Sequence, residues 1–190
     1  MVGTYNRTFK GVDKMLANKV QVKPTISITC PRCSGEVYSL GVELKGHLAQ
    51  AYMDLSGRVR ESQRNMLKKL AIRYFENKKE ITDLINADLN RELAYFYQNG
   101  GPIIEAPVTE KDIRDIEPFF YKTIANFFSQ VDAMVYVVGK GEMSVTELER
   151  ETYQYISGLF NILGRLYQDP EVKKAFNELV RFETSHNIQH

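Results

Sequence analysis

The sequence predicts a mainly α protein, a helical bundle of about five helices preceded by a small N-terminal β-hairpin that carries a Cys-x-x-Cys knuckle. Three observations lead there. From residue 46 onward apolar residues recur at three- and four-residue steps, and before that they alternate with polar ones. Gly, Pro and cap-forming residues fall between the periodic stretches. With 190 residues, 43% hydrophobic and 26% charged, the chain has the make-up of one folded domain. Residues 1–45 therefore read as a helix-and-hairpin segment, and residues 46–190 as a helical bundle forming one compact unit.

The elements follow in chain order. Phe9, Val12, Met15, Leu16 and Val20 suit a short amphipathic helix. Val20, Val22, Ile26 and Ile28 then alternate with polar residues as a strand does, and a second strand is expected over 36–44. Between them lies the turn Cys30-Pro31-Arg32-Cys33-Ser34-Gly35. A helix from about Gly46 to Asn77 would bury Leu48, Tyr52, Leu55, Val59, Met66, Leu70 and Tyr74, with Gly57 bending it. A shorter one, from about Ile81 to Gln98, would bury Leu84, Ile85, Leu89, Leu93 and Phe96. Asn99-Gly100-Gly101-Pro102 ends it and opens a loop over 99–108.

Thr109 with Asp112 three positions on reads as a helix cap with an acidic first turn. The helix runs to about Val138, kinked or restarted by Pro118, and its stripe of Phe120, Ile124, Phe127, Val131, Val135 and Val138 is the expected centre of the core. Ser144-Val145-Thr146-Glu147 has the capping-box pattern, ahead of a helix burying Leu148, Tyr155, Leu159, Leu163 and Leu166. Asp169-Pro170 starts the last helix, with proline at its first position.

Two features carry chemistry. Cys30 and Cys33 are the only cysteines, and a disulfide across so short a loop adds little stability. Two thiolates in one turn suit zinc, and over about fifteen residues the segment resembles the knuckle of zinc-ribbon domains. A ribbon brings a second cysteine pair, which this chain does not have. His186 and His190, four apart, would share one face of a helix, so Cys30, Cys33, His186 and His190 are the candidate Cys₂His₂ zinc site. His47 as a third ligand, a shared ion between two chains, and free thiols remain open alternatives.

Charge is the second feature. The net of +1 conceals 15 Lys/Arg against 6 Asp/Glu in residues 1–79, and 10 against 18 thereafter. Arg58, Arg60, Arg64, Lys68, Lys69 and Arg73 concentrate in one expected helix, with Arg60, Arg64 and Lys68 at four-residue steps. Such a stripe can meet phosphates with salt-sensitive, base-independent affinity, or it can be a solvated face balanced by the acidic half.

Nucleotide-binding, nucleophile-elbow and zinc-protease motifs are missing from the sequence. Charges throughout 1–20 leave no secretory apolar stretch, and no run approaches the ~18 apolar residues of a membrane span. The expected role is non-catalytic: a structural subunit of a larger assembly of viral or phage type, cytoplasmic or in the virion. It would self-associate or bind other protein subunits, and offer its basic helix to nucleic acid. No membrane and no small-molecule substrate is expected. A small zinc-containing nucleic-acid-binding regulator is the alternative, and a thiol redox enzyme the weaker third.

Overall fold

The computed structural model describes residues 28–100 and 108–187. Five helices occupy them: α1 Ser34–Ser56, α2 Glu61–Asn99, α3 Glu110–Gly139, α4 Val145–Leu166 and α5 Pro170–Asn187. The bundle is therefore mainly helical, as the periodicity predicts. Helices α1, α3 and α5 run one way and α2 and α4 the other. The N–H of Val108 donates to the Arg32 carbonyl (3.0 Å), setting the start of α3 beside the start of α1, and Gly139 faces Leu55 where both helices end. Cys30 meets Tyr167 at the α4–α5 junction, so α5 also starts near the N-terminal end of α1.

The predicted caps are in place. Thr109 Oγ1 accepts from the Asp112 N–H (3.2 Å). Ser144 Oγ accepts from the Glu147 N–H (3.1 Å) while Glu147 Oε2 accepts from the Ser144 N–H (2.9 Å), closing the capping box. Asp169 Oδ1 accepts from the N–H groups of Glu171 and Val172 at 3.0 and 2.9 Å, directly ahead of Pro170. Helix α3 carries Pro118 within one continuous element. It buries Phe120, Ile124, Phe127, Val131 and Val138 as expected, with Val135 partly buried against them.

The N-terminal boundaries differ from the expectation. Residues 36–44, expected as the second strand, belong to α1. Val37, Leu40, Gly41, Leu44 and Leu48 line its buried side at helical spacing, and that period outweighs the strand-like alternation read from the preceding segment. The N-terminal amphipathic helix and the first strand over 20–27 lie outside the described residues. Ile28, Cys30 and Val37 join the same core as the later helices.

The expected 46–77 helix divides differently as well. Gly57 ends α1 instead of bending it: its N–H and that of Arg58 turn back to the Asp54 and Leu55 carbonyls. Conversely, the expected break at 78–80 is absent, because Asn77 and Ile81 are both buried and α2 carries on through them. At 39 residues α2 is about 58 Å long and α1, at 23, about 34 Å, so α2 runs well past its partner before Gly100 ends it with φ of 70°. Leu89, Leu93 and Phe96, expected in the core, are consequently exposed, and Met66 and Tyr155 also face solvent.

Candidate interaction surface

α2 packs on α1 along Leu67, Leu70, Ala71, Tyr74 and Ile81, all buried. The side of the helix turned away carries Arg64, Lys68, Lys69 and Lys79, all exposed, as are Arg58 and Arg60 just ahead of it. Two large apolar residues share that side: Ile72 is 51% exposed and Phe75 45%. Toward the C-terminal end Leu89, Leu93 and Phe96 stand about half exposed, and Tyr97 is 81% exposed. Sequence reasoning missed Ile72 and Phe75. The signal was present, since Ile72 continues the four-residue steps of Arg64 and Lys68 and Phe75 lies three residues further on, on the same side of the helix.

Arg73 departs from the predicted stripe. Its guanidinium pairs with Glu149 of α4, and both side chains are partly buried. It therefore braces α2 against α4 while Arg58, Arg60, Arg64, Lys68 and Lys69 look outward.

The candidate zinc ligands lie apart. Cys30 is buried with its Sγ 3.1 Å from Tyr167 Oη, and burial pushes its thiol pKa up. Cys33 is the residue preceding α1, half-buried, and neither cysteine is in a disulfide. His186 is near the far end of α5, with Nδ1 2.8 Å from the Phe182 carbonyl and Nε2 3.1 Å from Glu80 Oε2. The sixteen residues from Pro170 to His186 span about 24 Å of helix, so α5 carries His186 away from Cys30. His47 sits against Phe128 of α3, centroids 6.0 Å apart, about 20 Å along α1 from Cys33. His190 lies outside the described residues, and among the described residues no three His, Cys, Asp or Glu side chains converge as metal ligands.

Inside the bundle is a polar cluster that the sequence did not announce. Lys45 and Glu183, both fully buried, meet at 2.6 Å, and the Lys45 ammonium lies 4.5 Å from the centre of the Tyr74 ring. Tyr52 Oη and Thr152 Oγ1 are 2.6 Å apart, and Asn77 Nδ2 donates to Tyr153 Oη (3.3 Å). Burial lowers the Lys45 pKa, raises that of Glu183, and pushes the Tyr153 phenol up to about 12. With Lys45, Glu183, Tyr52 and Tyr74 fully buried, the cluster has no opening for a reactant. An open trough of about 480 Å³ runs between α3 and α4 past Phe127, Gln130, Tyr155, Gly158 and Ile162. No helix among the described residues is long and apolar enough to cross a membrane.

Comparison with protein-family models, with curated proteins and with solved structures finds no match for this chain.

Proposed function

We propose that this chain is a non-catalytic structural subunit that binds protein partners, a second copy among them, through the outward side of α2. The exposed apolar residues of α2 are the observation that carries the reading. Half-exposed Ile72 and Phe75, with Leu89, Leu93 and Phe96 beyond the end of α1, leave apolar area in water along one helix. Each such side chain is already about half covered, so covering the rest is worth roughly half of the ~1.5–3 kcal/mol of full burial, and exposed apolar area of this kind marks association sites.

Nucleic acid is the second partner class, favoured by the outward set of Arg58, Arg60, Arg64, Lys68 and Lys69. Such cations on one side of a helix gain affinity for a polyanion by releasing its counterions. Size-exclusion chromatography with light scattering at two salt concentrations, run beside a filter-binding titration on duplex DNA, tests the proposal. Self-association, or DNA affinity that falls steadily with salt, is the expected result. A strict monomer indifferent to salt and DNA removes it.

A further inference from the structure

What lies between the cations of α2 singles out one class of nucleic acid, given the reading above that they meet a polyanion. Away from α1, and on the opposite flank from Arg73, three- and four-residue steps lead from Arg64 through Lys68, Ile72 and Phe75 to Lys79. All five are exposed, and the three cations make no ion pair among the described residues. The same steps continue through Thr82, Asn86 and Asn90, also exposed, and by way of Leu93 to Tyr97, which is 81% exposed. No carboxylate falls on this line, and the nearest, Glu76 and Asp83, stand exposed along one flank of it.

A duplex fits that arrangement poorly. With a helix in the major groove, its foremost side chains reach base edges and its flanks meet the phosphates, which would bring Glu76 and Asp83 against like charge. Against the duplex backbone the difficulty is apolar. Lys68 and Lys79 are about 17 Å apart along α2, and Ile72 and Phe75, 51% and 45% exposed, stand between them, where phosphates would strip their water without apolar contact in return.

A single strand differs because its bases are free to turn onto an aromatic ring while its phosphates follow the cations. Phe75 lies between Lys68 and Lys79 for that purpose, and Tyr97 offers a second ring about 33 Å further along the helix. Between the rings, Thr82, Asn86 and Asn90 supply the hydroxyl and amide groups that unpaired base edges can bond. A lipid surface calls for apolar side chains where those three stand.

We propose that this side of α2, from Arg64 to Tyr97, binds single-stranded nucleic acid, with Phe75 and Tyr97 stacking on bases and Arg64, Lys68 and Lys79 meeting phosphates.

Fluorescence anisotropy on the full chain tests this, using a labelled DNA single strand of about 16 nucleotides and the duplex of the same sequence at matched salt. The single strand is expected to bind about tenfold tighter than the duplex, and Phe75→Ala and Tyr97→Ala should each weaken it about tenfold, the value of one lost stacking contact. Both should leave the slope of log affinity on log salt as it is, whereas Lys68→Ala should flatten it by about 0.7. Phe75→Tyr, which keeps a ring, should bind as the native chain does, and circular dichroism should be unchanged throughout. Equal affinity for duplex and single strand, or single-strand affinity unmoved by both alanines, overturns the proposal and leaves the polyanion reading in place. Sedimentation with phosphatidylserine vesicles in the absence of single-strand binding overturns it in favour of a lipid surface. A chain that binds neither strand nor duplex overturns the nucleic-acid reading as well, and light scattering then decides separately whether the chain associates with protein.

Discussion

Lys45 Nζ lies 2.6 Å from Glu183 Oε2, and neither side chain has any exposed surface. Removing two charges from water costs several kcal/mol each, and here their mutual attraction and the Tyr74 and Tyr153 rings beside the ammonium, at 4.5 and 5.1 Å, offset it. Glu183 Oε1 has no hydrogen-bond partner among the described residues, so the compensation is incomplete. Breaking the pair should be far worse than replacing it. Lys45→Met alone is expected to cost about 3–5 kcal/mol, while Lys45→Met with Glu183→Leu should recover most of that loss or exceed native stability. Urea unfolding of the two variants checks this, and a single variant losing under about 1 kcal/mol would show that the pair is solvated.

Gly164 and Gly158 sit on the same helix with opposite surroundings. A Cβ on Gly164 would meet Phe176 Cβ of α5 at 2.9 Å, whereas one on Gly158 meets nothing within 4 Å. Alanine is the better helix former by about 1 kcal/mol at either site. Gly158→Ala should gain roughly that amount. Gly164→Ala should instead lose about 1–3 kcal/mol, because α5 must shift to relieve the contact. Thermal unfolding that ranks the two variants the other way would contradict the packing of α4 on α5.

Where the sequence was legible, it was through local chemistry. Thr109, Ser144 with Glu147, and Asp169 with Pro170 each mark a helix start that the structure reproduces, because a cap is decided within four residues. Val37 to Leu44 misled, since a short apolar run fits a strand or a buried helix, and only the continuation through Leu48 and Tyr52 decides between them. Leu89, Leu93 and Phe96 misled for another reason. Periodicity shows that a helix has an apolar side, but not whether a neighbour is long enough to cover it, and α1 is not. The Lys45–Glu183 pair spans 138 residues, a separation at which sequence pattern carries no signal.

The two thiols should respond differently. Cys30 is buried, its Sγ lies 3.1 Å from Tyr167 Oη, and burial keeps its pKa above the ordinary thiol value. Cys33 is only half-buried, at the start of α1. Alkylation under native conditions should modify Cys33 first and reach Cys30 only on unfolding, with mass spectrometry reading one adduct and then two. Equal rates would show that the segment ahead of α1 opens readily.

The α4 capping box should make stability depend on acid. The Ser144 backbone N–H and hydroxyl both donate to the Glu147 carboxylate and hold its pKa below the ordinary carboxylate range. A depressed pKa means that the native state favours the ionised form, so the contribution is present above the unfolded-state value and is lost as pH falls through the native one. Glu147→Gln should therefore be less stable than the native chain near neutrality, and the difference should shrink in acid. A difference independent of pH would show that the carboxylate charge plays no part. Ser144→Ala, which removes the reciprocal acceptor, should cost about 1 kcal/mol.

Arg64 and Arg73 are nine positions apart on α2, yet they predict different phenotypes. Arg64 is exposed on the outward side, whereas Arg73 is paired with Glu149 of α4. If the outward cations meet a polyanion, Arg60→Ala, Arg64→Ala and Lys68→Ala should each flatten the dependence of log affinity on log salt by about 0.9 on duplex DNA. Each should leave the melting temperature unchanged. Arg73→Ala should do the reverse: the salt slope stays, and stability falls by about 0.5–1 kcal/mol, a modest loss because the pair is only partly buried. The same slope change for all four substitutions would mean that Arg73 leaves Glu149 to reach the ligand, so α2 would have to move against α4 on binding. Restoring the pair with opposite sense, Arg73→Glu with Glu149→Arg, separates these outcomes, since it regains stability only where the contact is a bracing one.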